Sequence, residues 1–420
     1  MHVALAGPIA GDDVRDYLSG GQGPIPVGYA GAPLTGILIG ELLRMGHRVT
    51  GITTDTSLPL AGGLVRRHGP GFSLIVCPAR PHAWRFNGRH LGRALDLFAF
   101  ERHSLGRAMA DAAPDIVHAH WSYEFALAAI DQSAPSLITC HDSPAVVLKY
   151  TRSPYRAVRY LMARNVFRRA REFSTVSDYM ARELTPLIGH SPQVIPNPVA
   201  AHVLALGRPR LASTSRRVAM VCNGWSRLKN PEPALLAFAQ WRSIEAAAEL
   251  HLFGADFGPG ETASRWAASR GVAAGMHFHG RLPHRQLAAA LAAADALLHP
   301  ALEESFGVVL AEAMALGLPV LAGRHSGAVP WVLGADAAGR CATGLLVDVS
   351  SVLDIAVALP RLFDVDYPSR SASGIERAHR LFAPASVAGA YEAQYRRLLS
   401  GALVQIEPAI RLSANEKAAR

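Results

Sequence analysis

Short apolar runs alternate with longer amphipathic ones along almost the whole chain, and the series occurs twice. The first set of runs is His2–Ala6, Arg48–Thr53, Ser73–Cys77, Ile116–Ala119, Ser136–Cys140, Phe173–Val176 and Gln193–Ile195. The second is Arg217–Asn223, Glu249–Phe253, His277–His279, Ala296–His299, Pro319–Ala322 and Gly344–Val347, with helical segments at Glu232–Ser243, Pro283–Ala294 and Gly307–Leu316. Strands that alternate with helices imply a parallel sheet covered on both faces. Between the two series the chain is punctuated by Pro196-Asn197-Pro198 and Gly207-Arg208-Pro209-Arg210. The expected fold is α/β, with two Rossmann-like, doubly wound domains at 1–199 and 200–385. Ligands in such sheets bind at the carboxyl ends of the strands.

At 420 residues the chain is long enough for two cores, and 50% hydrophobic against 18% charged residues describes a globular protein. The polar segment after Ser400 lacks periodicity and reads as a tail over 401–420. Cys77, Cys140, Cys222 and Cys341 lie far apart, with no CxxC pair and no Cys/His metal spacing, so buried thiols in a reduced, cytoplasmic compartment are expected. No run is long and apolar enough to span a bilayer, and the first strand starts at once, which argues against a signal peptide.

The net charge of +9 is uneven: between Arg80 and Glu172, fourteen Lys or Arg stand against eight Asp or Glu. Such a patch suits anionic lipid, an acidic substrate or a plain solvated face. No nucleic-acid motif accompanies it, so no nucleic-acid partner is expected.

The chemistry concentrates in Glu304-Ser305-Phe306-Gly307-Val308-Val309-Leu310-Ala311-Glu312, followed by Ala313-Met314-Ala315-Leu316-Gly317-Leu318-Pro319-Val320. A strand ending near His299-Pro300 leads into a loop with two glutamates, and then a helix opens around Ser305–Gly307. Glycine in that first turn lets a ligand approach the backbone, and the free amides favour a diphosphate. Glu304 and Glu312, about two helical turns apart, reach one ligand from two sides, and a carboxylate accepts from two sugar hydroxyls.

This stretch resembles the E-x7-E signature of glycosyltransferase family 4, the group 1 glycosyltransferases of GT-B architecture. The resemblance runs over roughly residues 1–400 and implies two Rossmann-like domains facing across a cleft. The first would bind the acceptor and the second a nucleotide sugar, with a helix at 386–400 packing back toward the first. It makes Glu304 the contact to the transferred sugar, Glu312 the contact to the ribose, and Ser305, Phe306, Gly307 and Val308 donor-binding positions. Asn223-Gly224-Trp225-Ser226-Arg227-Leu228-Lys229-Asn230 matches the family's basic phosphate-clamp loop. Lys229 carries over as a clamp and catalytic residue. Gly224 stands where an arginine is usual, which leaves Arg227 as a substitute.

In the first domain, Pro114-Asp115-Ile116-Val117-His118-Ala119-His120-Trp121 resembles the strand that presents the cleft histidine, and His120, at its mouth, is the better match. His141, in Thr139-Cys140-His141-Asp142, falls nearby as a cleft or acceptor residue. Gly31, in Gly28-Tyr29-Ala30-Gly31-Ala32-Pro33, matches the glycine-rich loop that approaches the donor phosphate or the acceptor. Ser326-Gly327-Ala328-Val329-Pro330-Trp331 departs from the family's Gly-Gly-x-Pro-Glu turn, with tryptophan near the usual glutamate.

The resemblance implies transfer with retention of configuration from a nucleoside-diphosphate sugar to a glycan or lipid-linked acceptor. No metal and no other cofactor is expected, and a peripheral contact with anionic membrane is. Alternatives are an inactive sugar-nucleotide-binding relative or a transferase acting on a small metabolite. A dinucleotide-dependent oxidoreductase is disfavoured, because Gly7-Pro8-Ile9-Ala10-Gly11 does not supply the Gly-x-Gly-x-x-Gly turn.

Overall fold

The computed structural model describes residues 1–21, 23–211 and 215–401. The first sheet contains β1 (His2–Ala6), β2 (Arg48–Asp55), β3 (Val65–Gly69), β4 (Phe72–Pro78), β5 (Ile116–His120), β6 (Ser136–Cys140), β7 (Phe173–Thr175) and β8 (Gln193–Val194). The second contains β9 (Arg216–Val221), β10 (Ala248–Phe253), β11 (Met276–Gly280), β12 (Ala296–His299), β13 (Val320–Gly323) and β14 (Gly344–Val347). Their orders are β3-β4-β2-β1-β5-β6-β7-β8 and β11-β10-β9-β12-β13-β14. Pairing is parallel except at β3, which runs antiparallel to β4.

Both orders reverse at the first strand of the unit. β1 lies between β2 and β5, and β9 lies between β10 and β12. Helices leave such a switch point on opposite faces, so a crevice opens at the carboxyl ends of the central strands. His120 ends β5, His299 ends β12, and the Lys229 loop follows β9. The fold therefore delivers these residues to the two crevices.

The expected strands appear with ends shifted by one or two residues. β3 was not expected. Val65-Arg66-Arg67-His68-Gly69 carries three basic side chains and no apolar alternation, as suits an edge strand exposed on one side.

The chain crosses between the units twice. Val199 N donates to Phe382 O at 2.8 Å where the crossings meet. The helix Tyr367–Phe382 packs on the helix Val308–Ala315 of the second unit, whereas the helix Pro384–Leu399 returns to the first. There Tyr391 and Tyr395 are buried with Val3, Leu5 and Leu38, and the Tyr395 hydroxyl meets His118 Nδ1 at 2.6 Å. Each such buried ring contributes about 1.5–3 kcal/mol, so this return helix is part of the first core. One hydrophobic cluster is continuous from Ala4 and Ile138 through Val199 and Val203 to Phe306 and Phe382, which joins the two units.

The four cysteines are free, and burial pushes the Cys77 and Cys222 thiols up to about 12. Among the described residues, no helix is long and apolar enough to cross a membrane. Of the 401–420 tail, only Gly401 lies within the described residues.

Candidate functional site

In the second unit, two loops are fastened together before their side chains meet. Asn230, at left-handed φ 49°, caps the helix Pro231–Arg242. Its side-chain amide donates to Pro300 O at 3.1 Å and Val349 O at 2.8 Å, and Leu302 N donates to Leu228 O at 2.9 Å. These bonds set Lys229 beside Glu304, with Nζ 2.6 Å from Oε1. His299 Nε2 lies 3.3 Å from the same oxygen, without the alignment of a hydrogen bond. Burial alone would raise the Glu304 carboxyl; His299 and Lys229 overcome that and hold it at about 2. Glu304 is thus an anion near neutral pH. The ammonium of Lys229 carries three donors and spends one on Glu304.

Gly307 has φ 78° and caps the helix Val308–Ala315. A Cβ there would fall 2.8 Å from Leu310 Cδ1, so the backbone is both left-handed and crowded, which only glycine tolerates. In the first turn Leu310 N donates to Gly307 O at 2.9 Å, which leaves the amides of Val308 and Val309 as the donors a helix start keeps free. Phe306, by contrast, is a core residue: its ring packs on Phe382 at 5.4 Å and Trp331 at 6.5 Å, leaving only its backbone for a ligand. Trp331 thereby has a packing role. The preceding turn still touches the site, since Ala328 N donates to Glu304 O at 2.8 Å. A Cβ on Gly327 would lie 2.3 Å from Glu303 Oε1. Ser305 contributes its carbonyl to the junction between units, accepting from Ser177 Oγ at 2.6 Å.

Glu312 is buried and receives His284 Nε2 at 2.6 Å. This hydrogen bond raises the His284 pKa against the opposing effect of burial. Arg227 extends into solvent without a hydrogen bond or ion pair among the described residues.

In the first unit, His120 Nδ1 and His141 Nε2 are 2.8 Å apart, and the His118 ring is 4.3 Å from that of His120. His118 is fixed by Thr139 Oγ1 and the Tyr395 hydroxyl, both at 2.6 Å. Burial lowers all three pKa values, those of His118 and His141 to about 3, so the cluster is neutral. His120 is the last residue of β5, as expected, and it is fully buried. Gly7 is packed against it so closely that a Cβ would lie 3.0 Å from His120 Cβ. His120 Nε2 has no hydrogen-bond partner among the described residues, a cost of about 1–3 kcal/mol if it stays unmet.

Trp121, next in the chain, has a left-handed φ of 68° and lays its ring 4.4 Å from that of His141. It lines a cavity of 170 Å³ with Gly31, Tyr123, Glu124, Asp142, Arg156 and Arg159. An adjoining cavity of 280 Å³ shares Tyr29, Ala30 and Glu124, and adds Thr54, Arg93 and Tyr155. Gly31, at φ 112°, has no atom within 4 Å of where a Cβ would be, so it leaves the loop open beside the first cavity. Arg159 is buried, ion-paired with Glu124, and lies 3.7 Å over the Tyr123 ring. The Tyr123 hydroxyl donates to both Asp142 oxygens at 3.0 Å.

The predicted residues thus form two groups, His120 with His141 and Gly31 in the first unit, and Lys229 with Glu304 and the Gly307 turn in the second. No hydrogen bond or ion pair among the described residues joins the two groups directly. Sequence reasoning missed His299, His284 and the cavity carboxylates and arginines. The only signal for His299 was its place as the last residue of a buried strand.

Residues 36–203 match the family described as Glycosyltransferase Family 4, and residues 209–376 match Glycosyl transferases group 1. The chain belongs to the group 1 glycosyltransferases. It is 31% identical over 247 residues to an MMP alpha-(1->4)-mannosyltransferase of Mycolicibacterium hassiacum, a match that spans 57% of each chain. A GDP-mannose-dependent monoacylated alpha-(1-6)-phosphatidylinositol monomannoside mannosyltransferase of Corynebacterium glutamicum is 33% identical over 183 residues, 41% of this chain and 45% of that one. The matches therefore span about half the length of these relatives. Among solved structures, sucrose-phosphate synthase from Thermosynechococcus elongatus superposes with a TM-score of 0.72 at 20% identity, covering 96% of this chain and 100% of that one. The glycosyltransferase fold of two facing Rossmann-like units is thus shared over almost the whole chain.

Proposed function

We propose that this group 1 glycosyltransferase moves a hexose, mannose or glucose, from a nucleoside-diphosphate sugar to an acceptor hydroxyl with retention of configuration and without a metal ion. The observation that carries the reading is the half-buried Lys229–Glu304 pair beside the first turn of the helix Val308–Ala315. Lys229 and the first-turn amides supply positive charge where a diphosphate leaves, and such preorganised charge is often the largest single contribution to catalysis. Glu304, anionic throughout the physiological range, accepts from hydroxyls of the sugar in flight. The bond from the anomeric carbon to phosphate oxygen breaks and the acceptor oxygen attacks from the same face. The acceptor proton passes to the departing phosphate. Glu312, with His284 behind it, holds the ribose, and Gly31 gives the donor phosphate room.

The joined cavities of the first unit suit the acceptor. Their lining of tyrosines, carboxylates and arginines matches a polyhydroxylated, negatively charged headgroup, and the relative named for a phosphatidylinositol monomannoside points the same way. A lipid-linked acceptor fits the surface beside the cavities. Trp84, Phe86, Leu91 and Leu95 are exposed there, interleaved with Arg85 and Arg89. Leu161, Arg164 and Arg168 are exposed on the neighbouring helix Pro154–Arg169. Aromatic and basic side chains together suit reversible contact with anionic lipid at the cytoplasmic membrane face. A thermal-shift screen against GDP-mannose, UDP-glucose, ADP-glucose and a dTDP-sugar tests the donor half of this reading, since a bound donor raises the melting temperature. Failure of every donor to stabilise the fold would overturn it.

A further inference from the structure

Strand β11 is the edge of the second sheet, two strands from the β9–β12 switch point. Parallel pairing sets His251 of β10 opposite His277 of β11, and Glu249 of β10 opposite Arg217 of β9. Period-two alternation buries Leu250 and Leu252 on one face and turns Glu249, His251, His277 and His279 to the other. No motif in the linear sequence announces this group, because its members come from two strands about 25 residues apart and meet only through register.

The geometry is that of a ligand set rather than of scattered surface histidines. One ligand atom each from Glu249, His251 and His277 lies within 4.8 Å of the others. Glu249 divides its oxygens, with Oε2 3.2 Å from His251 Nε2 and Oε1 4.0 Å from His277 Nε2. Donors around a tetrahedral zinc ion stand about 3.3 Å apart, so closing the set takes sub-ångström side-chain shifts on an exposed face. His251 Nδ1 meets His279 Nε2 at 3.0 Å, which fixes the ring while its other nitrogen faces the carboxylate. A metal-binding imidazole is usually held in this way through its second nitrogen. The His251 and His277 rings are nearly parallel, with centroids 4.7 Å apart. Arg217 Nε, 3.7 Å from Glu249 Oε2, competes for one oxygen and leaves the other to an ion.

We propose that Glu249, His251 and His277 bind one divalent transition-metal ion of the zinc class. Two imidazoles and a carboxylate suit such a borderline ion and not magnesium or calcium. An ion there ties the edge strand β11 to β10 and takes no part in glycosyl transfer.

The test is a titration of the chelator-treated full chain with Zn²⁺ by calorimetry and with Co²⁺ by visible absorption. The expected result is one equivalent bound with micromolar or tighter affinity, not displaced by Mg²⁺. His251→Gln and His277→Gln should each weaken binding tenfold or more, whereas His103→Gln, remote in the first unit, should not. Zn²⁺ should also raise the melting temperature of the natural chain and leave that of the double variant unmoved. Circular dichroism of the metal-free variants separates lost ligands from lost fold, and Glu249→Gln replaces any variant that fails to fold. Full binding by the double variant, or no saturable binding at sub-millimolar Zn²⁺, would overturn the proposal.

Discussion

The two units use the same architecture to opposite electrostatic ends. At the β9–β12 crevice the groups are charged, paired and close to solvent: Lys229 against Glu304, with His284 drawn toward its cation by Glu312. At the β1–β5 crevice the groups are neutral and sealed, with three histidines held far below their ordinary pKa by burial. Charge belongs where a diphosphate must be held and released. The sealed cluster adds no charge to the first crevice and acts there through packing and its internal hydrogen bonds. The contrast makes predictions that differ between the units.

The largest effect is expected at Lys229. Replacing it with alanine removes the point charge on the leaving diphosphate and leaves Glu304 with His299 alone, so transfer should slow by roughly 10²–10³-fold. Steady-state kinetics of Lys229→Ala measure this, and a change below threefold would show that the charge of the second crevice is incidental.

The next effect is on stability, and its sign differs between the first unit's histidine cluster and His284 of the second. The histidines of the first unit have folded pKa values below the ordinary 6.5, so below pH 6.5 the unfolded chain takes up protons that the folded chain refuses. Each costs up to about 1.4 kcal/mol per pH unit, and urea unfolding should show stability dropping by several kcal/mol between pH 7 and pH 5. In His118→Gln that slope should shrink by about a third. His284 behaves in reverse: its raised pKa stabilises the fold below its ordinary value, and this contribution disappears as pH rises through the raised one. Equal stability of the natural chain at pH 5 and pH 7 would contradict the neutral cluster.

A smaller effect is expected at Glu312. Its replacement by alanine should weaken nucleoside diphosphate binding by about 1–3 kcal/mol, or roughly fivefold to 150-fold, with less change in turnover. Calorimetry with the free nucleotide checks this. The smallest concerns the membrane. Trp84→Ala with Phe86→Ala should reduce binding to anionic vesicles severalfold, and neutralising Arg164 and Arg168 should remove part of its salt sensitivity. Donor affinity should stay constant in both variants. Equal partition onto neutral and anionic vesicles would point to an acceptor free in solution.

The strand–helix series was legible because buried parallel strands read as apolar runs, and the donor group because Glu304, Gly307 and Glu312 fall along one continuous loop and helix. His284 escaped notice because it comes from a separate element and reaches Glu312 only in three dimensions, and His299 because a strand-end histidine carries no motif of its own. The same holds for the cavity, which draws on the Gly28–Pro33 loop, the end of β5, the end of β6 and the Pro154–Arg169 helix. β3 was missed because an edge strand under charge selection carries no alternation to read. Position along a strand was right for His120, but its sealing by Gly7 depends on a contact between segments more than a hundred residues apart.

Glu304 serves the sugar in flight and not the nucleotide at rest; on that division of labour the proposed chemistry stands or falls. Donor turnover and nucleoside diphosphate affinity, measured side by side for the natural chain and Glu304→Gln, probe it without intermediaries. The substitution keeps the shape of the side chain and removes its charge. Turnover should therefore fall roughly a hundredfold, while the free nucleotide binds within a few-fold of normal. Unchanged turnover in Glu304→Gln, or a loss confined to nucleotide affinity, would show that Glu304 does not act on the transferred sugar.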